Sequence, residues 1–213
     1  MRTRSFKLID RLIGEIDKAI KVLAAPSRSA RALPRAGNGE LVLEPAERLE
    51  SIRLMRVNHA GEVSAQALYQ GQALIARNEA VAAAMRESAA EETDHLAWCE
   101  RRLEQLGGRT SLLNPLWYLG SFAIGAVAGA LGDRTSLGFI TETEKQVESH
   151  LSDHLQRISP ADAGSRAILE QMQSDEIRHG EKATALGGAP LPLPLRAAMR
   201  LSSRVMTHSS YWL

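Results

Sequence analysis

The stretch "EETDHL" at residues 91–96 sets Glu92 three positions before His95, and "DEIRH" at 175–179 sets Glu176 three positions before His179. Residues three or four apart share a helix face. In a helix, each pair therefore presents a carboxylate and an imidazole side by side. The neighbouring residues indicate both the helix and its inward face. Met85, Ala89, Cys99, Leu103 and Leu106 lie on the stripe of Glu92 and His95. Ile168, Met172, Ala183 and Leu186 lie on that of Glu176 and His179. Two other stripes hold a lone glutamate. Glu62 stands with Ile52, Met55, His59, Gln66, Tyr69, Ala73 and Ala76, and Glu144 with Leu137, Ile140, Val147, Leu151 and Ile158. Four helices thus each turn a carboxylate towards one interior. A buried, unpaired carboxylate is costly or becomes neutral, so four together require a shared counter-charge. A pair of divalent or trivalent cations supplies it.

The donor types narrow the cations. Four glutamates and two neutral histidines form a hard, oxygen-rich set suited to iron or manganese. Zinc on thiolates is excluded, because Cys99 is the only cysteine. A lone Glu from each of two helices, with Glu-x-x-His from each of the other two, is the dinuclear carboxylate pattern of ferritin-like bundles. The two halves also match in spacing: Glu92 follows Glu62 by 30 residues, and Glu176 follows Glu144 by 32.

Nearby residues compete for roles. Glu142 and Glu148 are alternatives to Glu144; Glu142 points away from the stripe, and Glu148 is the nearer rival. Glu91 is four residues from His95, and Asp175 four from His179, so both are supporting or surface acids. His59, three residues before Glu62, suits a hydrogen-bonding role behind the site. His150 and His154 are candidates for its lining, whereas His208 and Cys99 are expected to be structural.

The fold class that follows is all-α, a four-helix bundle with an extra apolar helix and peripheral helices. The expected helices cover 5–24, 45–76, 81–106, 112–131, 136–158, 161–186 and 195–208. Gly107 and Gly108 close the third, and Gly187 and Gly188 the sixth. Residues 25–45 hold three prolines and two glycines and read as a linker. The expected division is therefore an N-terminal amphipathic helix plus linker over 1–45 and the bundle over 46–213. A chain of 213 residues with 44% hydrophobic content can build that core, and its net charge of +1 gives no footprint for nucleic acid. Asp10, Glu15 and Asp17 argue against a secretory or mitochondrial leader.

Residues 110–132, "TSLLNPLWYLGSFAIGAVAGALG", carry no charge and approach the length of a membrane span. A single crossing would put the four glutamates on two sides of the membrane. The segment 112–131 is therefore expected to lie over the bundle, with one face on lipid or on a partner and Trp117, Tyr118 and Phe122 at the interface.

"RVNHAGEVSA" (56–65), "EETDHL" (91–96), "NPLWYLGSFAIGAVAGALGD" (114–133), "ETEKQVESHL" (142–151) and "DEIRHGEKA" (175–183) resemble the demethoxyubiquinone hydroxylase family, bacterial type. The resemblance covers about 47–213. It implies a peripheral membrane monooxygenase that uses two iron ions and O2 to hydroxylate the ring of a polyprenyl demethoxy-quinol. The family's metal ligands fall on Glu62, Glu92, His95, Glu144, Glu176 and His179, with Glu92 and Glu176 bridging, and His150 matches a histidine near the site. Leu151 stands where animal members tend to carry tyrosine, so a role for that tyrosine does not transfer. NADH is the implied electron source, although no G-x-G-x-x-G fingerprint marks its place. Other ubiquinone-biosynthesis proteins are implied partners, and the implied location is the cytoplasmic face of the bacterial inner membrane. The alternative on the same scaffold is a ferritin-like protein for iron storage or peroxide handling.

Overall fold

The computed structural model describes residues 8–35 and 42–213. The described chain folds into seven helices: α1 Leu8–Ala24, α2 Pro45–Ile75, α3 Glu79–Leu106, α4 Asn114–Ala130, α5 Asp133–Arg157, α6 Ala163–Ala185 and α7 Leu193–Trp212. No strand occurs among the described residues. The expected start of the first helix, at residue 5, lies outside them.

Local chemistry sets most boundaries. α2 opens on a reciprocal capping box between Glu44 and Glu47, with Pro45 in its first turn. The Asn78 side chain caps α3, accepting from the Ala80 amide at 2.8 Å. Gly107, at φ +72°, ends that helix in a left-handed conformation that a side chain would strain. The last helix runs longer than the expected 195–208. Distant partners hold its tail: Trp117 Nε1 donates to Ser210 Oγ at 3.1 Å, and the Leu112 amide to the Leu213 carbonyl at 2.9 Å.

α2, α3, α5 and α6 form the bundle. At one end Leu54, Leu103, Leu151 and Leu169 belong to one apolar cluster; at the other, Tyr69, Met85, Leu137 and Ala183 belong to a second. The chain runs from the first cluster to the second along α2 and α6, and in reverse along α3 and α5. The four glutamates lie between these two plugs on every helix.

α3 ends beside the first cluster and α5 begins beside the second, so the chain must cross the whole bundle between them. α4 is that crossover, laid along the outside of α2. Gly125 and Gly129, with Gly71 opposite, let the two backbones meet. A Cβ on Gly125 would strike the Leu68 carbonyl, and one on Gly71 the Phe122 carbonyl. No helix among the described residues is long and apolar enough to cross a membrane. The outer face of α4 carries Leu116, Leu119, Ile124 and Val127, and Leu112 and Leu131 just beyond its two ends are exposed as well. The aromatics expected there turn inward instead: Tyr118 is buried, Phe122 packs beside it, and Trp117 reaches α7.

α1 sits on α2 through Ala19, Val22 and Leu23, which touch the Val63–Leu96–Tyr118 cluster, while Ile13, Ile16 and Ile20 remain exposed. α7 lies over the seam between α2 and α5. His208 on it is exposed, which corrects the structural role expected for that residue.

Candidate metal centre

All six stripe residues converge. Glu62, Glu92, His95, Glu144, Glu176 and His179 are buried, each at least 96%. Their donor atoms fall into two groups in which all atoms lie within 4.8 Å of one another: Glu62, Glu92, His95 and Glu176, and Glu144, Glu176 and His179. Glu142 and Glu148 are in neither group; Glu142 instead accepts from Arg196 at 2.7 Å.

The finer geometry is nearly two-fold. His95 Nδ1 faces Glu92 Oε2 at 3.1 Å, Glu176 Oε1 at 3.3 Å and Glu62 Oε2 at 3.5 Å. His179 Nδ1 faces Glu92 Oε1 and Glu176 Oε2, both at 3.3 Å. Glu92 and Glu176 thus each divide their two oxygens between the two imidazoles. One N–H cannot serve three acceptors, so hydrogen bonding alone leaves this cluster unsatisfied. Lone pairs on Nδ1 and carboxylate oxygens around shared cations resolve it. The donors therefore fit a dinuclear centre.

The outer nitrogens support the same reading. His95 Nε2 pairs with Asp175 Oδ2 at 2.9 Å, and His179 Nε2 with Glu91 Oε2 at 2.8 Å. A carboxylate on one ring nitrogen fixes the tautomer that turns the other nitrogen's lone pair inward. Sequence spacing linked each acid to the histidine on its own helix. The fold exchanges them: Asp175 of α6 holds His95 of α3, and Glu91 of α3 holds His179 of α6. The repeated acid before each ligand glutamate, Glu91–Glu92 and Asp175–Glu176, was the available signal.

Electrostatics reflect the crowding. Burial, together with neighbouring carboxylates, pushes Glu62 and Glu144 well above the usual carboxylate range. Burial opposes charge on His95 and His179, yet their bonds to carboxylates win and raise both, His179 to about 12. Burial also works against Glu92, but hydrogen bonds from His179 and His95 bring it well below its ordinary value. In the absence of metal, protons on the imidazoles are the counter-charge.

Tyr69, seven residues after Glu62 on the same stripe, donates its hydroxyl to Glu144 Oε1. From its spacing alone it reads only as a core residue. His59 bonds Asn114 at 3.2 Å and Glu100 at 3.4 Å, so it supports α4 and α3 rather than any of the six donors. His154 bonds Asn58 at 3.0 Å. His150 reaches a cavity of about 50 Å³ lined also by Glu62, Glu144, Glu176 and Met206, and its Nε2 has no hydrogen-bond partner.

Fold and donor set together define the class: a ferritin-like four-helix protein with a buried carboxylate–histidine cluster in its core that fits a two-metal site. Among solved structures, a bacterioferritin-related protein from Bacteroides fragilis, described as a dodecameric thioferritin, matches with a TM-score of 0.55 at 18% identity, over 71% of this chain and 89% of that one. The particular family is plain from sequence: the chain belongs to the family described as ubiquinone biosynthesis protein COQ7, whose profile matches residues 50–210. Curated relatives extend the likeness over almost the full length. A 3-demethoxyubiquinol 3-hydroxylase of Chromobacterium violaceum is 56% identical over 96% of this chain and 99% of its own. One of Cupriavidus taiwanensis is 58% identical over 95% and 99%.

Proposed function

We propose that this chain hydroxylates the ring of a demethoxyubiquinol with O2 in ubiquinone biosynthesis, at a di-iron centre held by Glu62, Glu92, His95, Glu144, Glu176 and His179. The observation that carries the reading is the buried cluster of four carboxylates and two imidazoles in a chain similar end to end to 3-demethoxyubiquinol 3-hydroxylases. That similarity disfavours the iron-storage alternative.

Two iron ions in this cage would supply the binding and reduction of O2. Glu92 and Glu176, each offering one oxygen to either imidazole, would help to hold both ions. Asp175 and Glu91 hold the Nε2 hydrogens and keep Nδ1 free as a donor. Burial first, then the nearby carboxylates, keeps Tyr69 protonated, so its hydroxyl goes on donating to Glu144. The apolar clusters on both sides exclude water from the reacting region. Burial lowers His150 to about 4, so its ring is neutral near pH 7, with Nε2 open to a quinol hydroxyl at the cavity. At about 50 Å³ that cavity suits a small molecule such as O2. A substituted ring needs more room than this cavity offers.

The same reading places the protein at the cytoplasmic face of the bacterial inner membrane, bound peripherally. The exposed leucine, isoleucine and valine face of α4 supports this, and the polyprenyl tail would lie along it. NADH is the proposed source of electrons, and other ubiquinone-biosynthesis proteins are proposed as partners.

The test is the quinone pool of a strain lacking the gene. A demethoxy intermediate should accumulate, and wild-type but not Glu92→Ala protein should clear it. Purified Glu92→Ala should keep its far-UV circular dichroism and hold less than the wild-type metal content. Normal ubiquinone in the deletion strain would remove the hydroxylase reading.

A further inference from the structure

The stretch between α1 and α2 reads in the sequence as a linker. Its described part, 25–35, is bonded to the bundle instead. Ser27 donates through its amide and its hydroxyl to Glu100, at 2.9 and 3.1 Å. Asp94 Oδ1 accepts from the Ser29 hydroxyl at 2.9 Å and from the Ala30 amide at 2.7 Å. These bonds deliver Arg31 to one point. Its Nε binds Asp94 Oδ2 at 2.7 Å, its Nη1 binds Asp175 Oδ2 at 2.7 Å, and its guanidinium lies 4.6 Å from the centre of the Trp98 ring. Asp175 Oδ2 is the same oxygen that holds His95 Nε2, and the His95 ring centre is 5.4 Å from that of Trp98. Gln171 and Arg178 occupy the other oxygen, Oδ1.

We propose that Arg31 is a positioning residue for the metal subsite containing His95: it locks Asp175 so that the imidazole presents Nδ1 to Glu62, Glu92 and Glu176. The proposal rests on the reading of the six residues as metal ligands. A planar guanidinium binds two carboxylates and stacks on an indole at once, which an ammonium cannot do. The other subsite is built differently. Its outer acid, Glu91, is 31% exposed, whereas Asp175 is fully buried. Arg31 therefore makes the two metal subsites unequal, and it ties one of them to a segment outside the 50–210 region of the family match.

The test is anaerobic titration of metal-free, full-length protein with Co(II), followed by calorimetry and by the cobalt absorption bands. Wild type should take up two ions per chain. Arg31→Gln should bind one of the two up to roughly 10-fold more weakly, the lower edge of the range for removing the direct partner of a ligating histidine, because Asp175 itself stays in place, with the other unchanged. Arg31→Lys should fall between, because one charge returns without the fork. If Arg31→Gln does not fold, Arg31→Lys is read alone, and a smaller split in the same direction is expected. Two unchanged affinities, or equal weakening of both, would overturn the proposal, since a merely structural segment loosens both subsites or neither. Failure of the wild type to bind any cobalt would instead overturn the metal-site reading beneath it.

Discussion

A carboxylate in an apolar stripe is expensive unless something compensates it, and that cost is why Glu62, Glu92, Glu144 and Glu176 are legible in the sequence alone. The same residues predict how pH and metal interact. In the metal-free fold, Glu62, Glu144, His95 and His179 bind protons more tightly than they do unfolded. Their contribution to stability is present below the unfolded values and is lost as pH rises through the folded ones; for His179 that interval runs from 6.5 to about 12. Glu92 and Asp175 have the opposite sign, because their values are depressed and their contribution fades as pH falls. Metal must displace the protons of the first set, so metal stabilises the fold more as pH rises. The gain in Tm on adding a fixed concentration of Co(II) should be larger near pH 8 than near about pH 5.5. A gain that shrinks with rising pH would mean the metal is not held by these groups.

Helices meet at distances set by what lies between them. The α2–α4 contact is closed by glycines, and this makes a prediction about one element with an internal control. Gly125→Leu must push α4 away from the Leu68 carbonyl, at a cost of about 1–3 kcal/mol or more. Gly120 lies in the same helix, is exposed, and has nothing within 4 Å of an added Cβ. Gly120→Ala should be neutral or stabilise by up to about 1 kcal/mol, through helix propensity alone. Urea unfolding of both variants measures the difference. Equal effects would show that the seam is not close-packed. The Gly125–Gly129 spacing was visible in the sequence, but its partner was not, since Gly71 lies 54 residues before Gly125.

At the scale of the molecule, apolar side chains remain on the outside of three helices: Ile13, Ile16 and Ile20 on α1, Leu116, Leu119 and Val127 on α4, and Leu201 and Val205 on α7. A surface of this kind seeks a cover. For the proposed peripheral location, flotation with phosphatidylethanolamine–phosphatidylglycerol vesicles should carry the wild type to the top of the gradient. The triple variant Leu116→Ser, Leu119→Ser, Val127→Ser should largely stay behind with its metal content unchanged. If the variant floats equally well, α4 is not the lipid-facing element.

The sequence alone determined the helices and the six converging residues, because both are written in spacings of three and four along one helix; the lay of the apolar segment over the bundle followed from keeping four glutamates on one side of a membrane. Only the tertiary structure decided which acid serves which histidine and what stands behind Asp175. Arg31 is 63 residues from Asp94 and 144 from Asp175 in the chain. No helical period spans such distances. Side chains from separate helices become neighbours only when the bundle closes, and charges pair with what packing brings near.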